Sequence, residues 1–198
     1  MLNKQAKILS EQQIKAVLSF LETTRNAPRD RVIFMLSAYA GLRAKEISNL
    51  EVSMITDVNG NVAGVIALEN KATKGKSGRV IPMNKMLQAA IIDWLKQSEQ
   101  NRSKYVISTE RAEKFSANGI AVWFQRLYKS LGFQGASSHS GRRGFITQCA
   151  RNVSRVGGSI RDVMALAGHS NLQTTERYIS EDAQAQKNLV NLIYQGVK

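Results

Sequence analysis

Apolar residues recur at helical spacing from near the start of the chain. Ile14, Val17, Leu18 and Leu21 share one face, and Ser10 with Gln13 three positions on forms a capping box ahead of them. A second helix is predicted from about Arg29 to Ala40, with Gly41 as its stop, because the left-handed residue that ends a helix is usually glycine. A short third helix, Ala44 to Leu50, follows almost at once. The pattern then changes. Met54 to Asp57, Val62 to Leu68 and Arg79 to Met83 read as short strands, the first two joined by a turn at Asn59-Gly60. Lys71 to Gly78 is a basic, flexible connection between the second and third.

Beyond Pro82 the spacing is helical again. Met86, Leu87, Ala90, Ile91, Trp94 and Leu95 form one apolar stripe, and Ser116 caps a helix carrying Ile120, Trp123, Phe124, Leu127 and Leu131. Further helices are predicted from about His139 to Asn152, Ile160 to Ala167, Asn171 to Ile179 and Asp182 to Gln195. No internal repeat or Pro-rich linker divides the sequence. The expectation is a single domain over 1–198 of α+β class, mainly α-helical, with one small three-stranded antiparallel sheet.

Composition narrows the function. At 198 residues with 43% apolar side chains the chain can bury a core, which excludes a disordered basic tail. Cys149 is the single cysteine, so no intrachain disulfide forms, and a reducing, cytoplasmic setting is expected. The longest uncharged apolar run, Val32 to Leu42, is too short to span a bilayer, and no apolar signal segment follows Met1. Lys and Arg number 28 against 15 Asp and Glu, a net charge of +13. The excess is concentrated: Lys114 to Arg161 holds eight basic residues and no acidic one. A solvated helix face usually mixes signs, so this stretch points to a surface that tracks phosphates, with double-stranded DNA as the expected partner rather than a membrane. Lys76, Arg79, Lys114, Arg126, Lys129 and Arg143 are the candidate DNA contacts.

Taken singly, the chemically capable residues have ordinary explanations. Arg43 could sit on the surface, His139 and His169 could cap helices, and Tyr178 could be packing. Their order and spacing carry more. Gly41-Leu42-Arg43-Ala44-Lys45-Glu46-Ile47 resembles the first arginine box of the tyrosine recombinase (phage integrase) family, with its acidic residue three positions on. Lys74, eight positions before Pro82, is similar to that family's hairpin lysine. His139-Ser140-Gly141-Arg142-Arg143 resembles the His-x-x-Arg box, although Gly141 stands where a Leu is usual and Gly144 where Thr is common. Leu166-Ala167-Gly168-His169-Ser170 and Thr174-Thr175-Glu176-Arg177-Tyr178 match the closing box, the tyrosine nine positions after its histidine. The resemblance implies a DNA breaking-rejoining fold and a catalytic set of Arg43, Lys74, His139, Arg142, His169 and Tyr178.

Elementary chemistry agrees with that set. Attack on a phosphodiester builds charge on its equatorial oxygens, and two guanidiniums offer planar forks of donors to them. A phenol ionises near 10 in water, so a tyrosine nucleophile needs cations and a proton acceptor around it. His139 can accept that proton or hold the phosphate, Lys74 is a plausible acid for the leaving 5′-oxygen, and His169 completes the anion cage. A phosphotyrosine link conserves the bond energy, so no cofactor is expected. No Cys/His or Asp/Glu cluster has metal-ligand spacing, and no metal site is expected. Glu46 has two readings of equal weight, a helix-surface charge or an orienting partner for Arg43. Cys149 reads as core.

The leading function is thus a site-specific recombinase acting through a 3′-phosphotyrosine. A type IB topoisomerase-like relaxing enzyme and a non-catalytic DNA-binding module of the same fold are the alternatives. The first arginine box begins near residue 41, so a chain without the N-terminal core-binding domain that most such proteins carry is expected. The resemblance further implies a homo-oligomer, a tetramer, on nucleoid DNA, with accessory DNA-bending proteins as helpers. Leu189, Val190, Leu192, Ile193 and Val197 form an apolar stripe that either packs on its own domain or docks on a neighbouring protomer.

Overall fold

The computed structural model describes residues 6–73, 77–98, 103–178 and 190–191. Among them the chain forms α1 (Glu11–Leu21), α2 (Ala27–Ala40), α3 (Ala44–Asn49), β1 (Val65–Leu68), β2 (Arg79–Pro82), α4 (Lys85–Ser98), α5 (Ala117–Ser130), α6 (Ser140–Asn152), α7 (Ile160–Ala167) and α8 (Leu172–Glu176). Local signals explain most boundaries. Ser10 Oγ accepts from the Gln13 amide while the Gln13 side chain accepts from the Ser10 amide, closing the predicted box. Gly41 ends α2 in the left-handed region at φ +68, and a Cβ there would lie 2.5 Å from the Phe145 ring. Ser116 Oγ accepts from the Gly119 amide at the start of α5.

The α2 helix is the axis of the domain. Val32, Ile33, Phe34, Met35 and Leu36 are all fully buried, which is why this stretch shows no polar face in sequence. Around it α1, α3, α4, α5 and the sheet contribute Val17, Leu21, Ile47, Leu87, Ile91, Phe124, Ile66 and Ile81 to one main core. A second, smaller cluster of Ile146, Val163 and Ala167 joins α6 to α7, with Phe145, Cys149 and Tyr178 packed against it. Cys149 is therefore core-lining, as expected, and burial pushes its thiol pKa up. Gly141 lets α6 approach α2: a Cβ there would lie 2.7 Å from Ser37 Oγ and 3.1 Å from the Ala38 amide nitrogen. The seam between the two cores is where the functional side chains gather.

The sheet has two strands, not the expected three. β1 and β2 pair antiparallel from Val65 opposite Pro82 to Leu68 opposite Arg79, with Ile66, Leu68 and Ile81 facing the core. The first predicted strand is displaced by competing backbone bonds. Leu50 accepts from Val106 and Val52 donates to Lys104, so this segment is tied to the 104–106 stretch, and Val52–Met54 then coils into a 3-10 turn. A single Thr56–Val62 bridge is what is left of its ladder. The turn itself forms as predicted: Asp57 Oδ1 accepts from the Asn59 and Asn61 amides, and Gly60 sits at φ +81. Met86 departs from its predicted stripe and is 50% exposed. The helix expected over 182–195 lies outside the described residues except at 190 and 191, which are exposed and helical. No helix among the described residues is long and apolar enough to cross a membrane.

Candidate active site

A cavity of about 660 Å3 opens at the seam, and Arg43, His139, Arg142, His169 and Tyr178 all line it. Five of the six residues expected to be catalytic thus meet at one place, although 135 positions separate the first from the last. Lys74 and Lys76 lie outside the described residues. The cavity sits at the N-terminus of α6, where unpaired amides and the helix dipole favour an anion. His139 occupies the N-cap of that helix and is exposed.

Arg142 is positioned by the ends of two other helices. Its Nη1 donates to the Gly41 carbonyl and its Nη2 to the Ala167 carbonyl, each at 2.6 Å. These oxygens belong to the C-terminal ends of α2 and α7, where carbonyls lack intrahelical partners and carry the negative end of the dipole. Burial, followed by the like charge of Arg43, lowers the Arg142 pKa to about 10, so the group remains a cation at neutral pH.

Glu46 resolves into the orienting partner. Its carboxylate is 1% exposed and accepts from the Arg43 amide and from Arg43 Nη1, both at 2.8 Å. Arg79 adds a two-pronged contact, Nη1 at 3.0 Å and Nη2 at 3.1 Å, and Arg142 Nη1 lies 4.0 Å away. Burial alone raises the Glu46 pKa. The Arg79 hydrogen bonds and charge, with those of Arg43, more than reverse this and hold it below the ordinary carboxylate range. One carboxylate therefore fixes the guanidinium of Arg43, which is itself 32% exposed to the cavity.

Arg79 is a correction to the sequence reading. Its charge marks it in sequence as a DNA contact, yet its side chain is 6% exposed, and besides Glu46 its Nε donates to the Leu166 carbonyl at 2.8 Å. Its fork ties β2 to α3 and to the end of α7. Gly168, in the left-handed region at φ +61, leaves it room, since a Cβ there would lie 2.8 Å from Arg79 Nη1. The other candidate DNA contacts are spread out. Arg143 lines the cavity and donates to the Ala6 carbonyl at 2.7 Å. Lys114 donates to Asn49 Oδ1 at 2.5 Å and lies 4.8 Å over the Tyr105 ring. Arg126 and Lys129 are exposed on α5.

His169 and Tyr178 form the far wall, their rings stacked with centroids 5.9 Å apart and planes at 24°. His169 Nε2 lies 3.2 Å from Arg142 Nη2, and its Nδ1 lies 2.9 Å from Thr175 Oγ1. Arginine can only donate, so Nε2 accepts and the neutral ring carries its proton on Nδ1. Burial, then the charges of Arg142, Arg43 and Arg79, push the His169 pKa down to about 4. The unfolded chain, near 6.5, thus takes up a proton that the folded site refuses. Stability contributed by this residue is full above 6.5 and falls as pH drops toward 4. In a nitrogen-15 titration His169 is expected to stay neutral down to about pH 4, and a midpoint near 6.5 would contradict the assigned surroundings.

Two residues of the site escaped the sequence reading. Thr175 is fully buried against His169, and Arg177 lines the cavity beside Tyr178. The spacing of Thr175, three positions before the tyrosine and therefore on its helical face, is the signal that could have found it. Among the described residues no three His, Cys, Asp or Glu side chains gather as a metal site.

Comparison with known proteins places this geometry. The phage integrase family matches residues 7–185. Tyrosine recombinase XerA of Thermococcus onnurineus is 31% identical over 175 residues, covering 87% of this chain and 57% of the relative. Tyrosine recombinase XerC of Shewanella amazonensis is 30% identical over 161 residues, with 80% and 51% covered. The chain thus spans about half the length of the curated relatives it matches. The crystal structure of XerA recombinase aligns with a TM-score of 0.73 at 24% identity, over 93% of this chain and 64% of that one. XerH recombinase bound to its difH substrate aligns with a TM-score of 0.74 at 16% identity, over 100% and 56%. These structural likenesses show the fold, with the seam cavity inside the region they share. With a family match that runs across both cores and takes in Arg43, His139, Arg142, His169 and Tyr178 of the cavity wall, the chain belongs to the phage integrase family.

Proposed function

We propose that this chain cleaves and rejoins DNA strands at specific sites through a covalent 3′-phosphotyrosine. The observation that carries the reading is the convergence of two guanidinium forks, two histidines and one tyrosine on a single cavity at a helix N-terminus. The scissile phosphate binds with its non-bridging oxygens toward Arg43 and Arg142, and His169 adds to that shell. The Tyr178 oxygen attacks phosphorus, an O–P bond forms, and the bond from phosphorus to the 5′-oxygen breaks. The phenolic proton passes to His139 or to water beside it. Lys74 supplies a proton to the departing 5′-oxygen, which leaves as a hydroxyl. Rejoining is the reverse, with a 5′-hydroxyl from the same or another strand attacking the phosphotyrosine. The link conserves the bond energy, so neither a metal ion nor ATP is required.

Arg143, Lys114, Arg126, Lys129 and Lys76 contribute backbone phosphate contacts, consistent with the +13 charge. Assembly as a tetramer on double-stranded DNA, with the 182–198 segment docking on a neighbouring protomer, belongs to the same reading. So do help from DNA-bending proteins and a place on the nucleoid. Support comes from neighbours described in complexes, among them a lambda integrase dimer bound to a core site, with a TM-score of 0.65. A relaxing enzyme of type IB is the second reading, because the same cavity chemistry serves it. Incubating the protein with supercoiled plasmids that carry two copies of the DNA flanking its gene separates the two. Exchange between two sites supports recombination, relaxation without a site supports the topoisomerase, and no covalent adduct on a nicked duplex defeats both.

The arginine clamp has its own test. Arg43→Lys keeps the charge and loses the planar fork, so cleavage of a nicked duplex is expected to fall roughly 10²–10³-fold. Duplex affinity should change little, since one phosphate contact among many is altered. Single-turnover cleavage at the wild-type rate would remove Arg43 from the clamp.

A further inference from the structure

We propose that Thr175 is a positioning residue whose hydroxyl accepts from His169 Nδ1–H in the free site and, by turning to donate, lets the ring proton move to Nε2, and so governs how His169 meets the scissile phosphate. The inference rests on the cleavage reading above only for its last step. Thr175 lies on α8, is fully buried, and places Oγ1 2.9 Å from His169 Nδ1. On the other side of the ring, Arg142 Nη2 approaches Nε2 at 3.2 Å while also donating to the Ala167 carbonyl. The two hydrogens of Nη2 are thereby both assigned, one to Ala167 and one to His169. His169 is left as the Nδ1–H form, with the Thr175 hydroxyl as acceptor.

The choice of a hydroxyl has chemical consequences. A carboxylate at that position would pull the ring toward imidazolium, adding a charge beside three arginines. A backbone carbonyl could only accept and would lock the Nδ1–H form. A hydroxyl can accept or donate. When a phosphate oxygen enters the cavity it competes for the second Nη2 hydrogen of Arg142. The Nε2 lone pair then faces an anion. If the ring proton leaves Nδ1 through solvent and returns on Nε2, the ring stays neutral and becomes a donor to the phosphate. The Thr175 hydroxyl turns to donate to Nδ1, so one N–H bond breaks and one forms with no net proton gained. The same residue also accepts from the Tyr178 amide at 3.0 Å through its carbonyl, which couples the histidine ring to the turn that carries the nucleophile.

Selective nitrogen-15 labelling of histidine tests this directly, because His139 and His169 are the only two. In the free protein near neutral pH, wild type and Thr175→Ser should show a His169 ring with a protonated Nδ1 and a bare Nε2. Thr175→Val keeps the shape and removes the hydroxyl. Arg142 still donates to Nε2, so its free ring should remain Nδ1–H, but with a duplex bound in a Tyr178→Phe background it should fail to pass to the Nε2–H form that the ring adopts with Thr175 present. Thr175→Ala, which also lacks the hydroxyl but adds no methyl, replaces it if the valine variant does not fold. Cleavage of a nicked duplex should fall about 10-fold or more in the variant without a hydroxyl, and stay within a few-fold of wild type in the serine variant. A free wild-type ring already in the Nε2–H form, or a DNA-bound valine variant whose ring passes to the Nε2–H form as it does with Thr175 present, overturns the assignment. So does an altered tautomer with undiminished cleavage, which would remove the positioning role. If the wild type cleaves no DNA, the function reading fails, and the tautomer measurement still decides what Thr175 does to the ring.

Discussion

Tyr178→Phe is expected to abolish covalent attachment to DNA while leaving the fold and duplex binding in place. The change removes one oxygen and nothing else. The ring would still stack on His169 at 5.9 Å and still pack against the cluster of Ile146, Val163 and Ala167. The cost in stability should therefore stay within about 1 kcal/mol, the scale of a single hydrogen bond. Arg43, Arg142 and the helix N-terminus would still bind a phosphate, so affinity for a duplex should be near that of wild type. With no nucleophile, no phosphotyrosine can form, and the loss should be complete rather than graded. A nicked duplex that strands the cleaved product, followed by denaturing electrophoresis, reads the adduct directly. An adduct retained in the Phe variant would show that another group attacks, and the roles given to the whole cavity would have to be reassigned.

How much of this could be read in the sequence depends on whether the deciding contact is local. The caps at Ser10 and Ser116 and the stop at Gly41 are local, and each is found where the residue types put it. The arginine, histidine and tyrosine boxes are legible for a related reason: each is a short run whose spacing survives folding. The third strand is not, because Met54 to Asp57 has a strand-like pattern but follows Leu50 and Val52, which are tied to residues more than fifty positions away, and the chain beyond them turns into a 3-10 coil. Arg79 illustrates the same limit for side chains. Its charge is visible in the sequence and its burial is not, so it reads as a DNA contact until β2 carries it onto Glu46 and Leu166. Glu46 stood between two readings because a spacing of three from Arg43 is equally consistent with a surface pair. What decides is Arg79, which arrives from 33 positions on. Thr175 was visible as a motif letter, but its role depends on His169 turning a ring nitrogen toward it.

Glu46→Gln is expected to be the most destabilising single change in the site, by about 3–5 kcal/mol. Arg79 and Arg142 are each 6% exposed while Arg43 opens to the cavity at 32%, so Glu46 is the counter-ion for two cations out of water and a third at the cavity edge. The amide keeps the shape and can accept at one oxygen, but it brings no charge and its nitrogen faces donors. The pH dependence fixes the cause. The Glu46 pKa is lowered on folding, so its stabilisation is complete above the ordinary value of 4.5 and is lost as pH falls through the folded-state value. The stability gap between wild type and Glu46→Gln, measured by urea unfolding, should therefore be constant near neutrality and close on acidification below about 4.5. Adding Arg79→Met to Glu46→Gln removes one of the stranded cations. The double variant should lose less than the sum of the single losses, because the two residues share one interaction. A gap that does not change with pH would mean that Glu46 acts through packing rather than charge. Additive losses would separate Arg79 from it. Either result would undo the account of how β2 holds Arg43 in place, since that account runs entirely through the carboxylate.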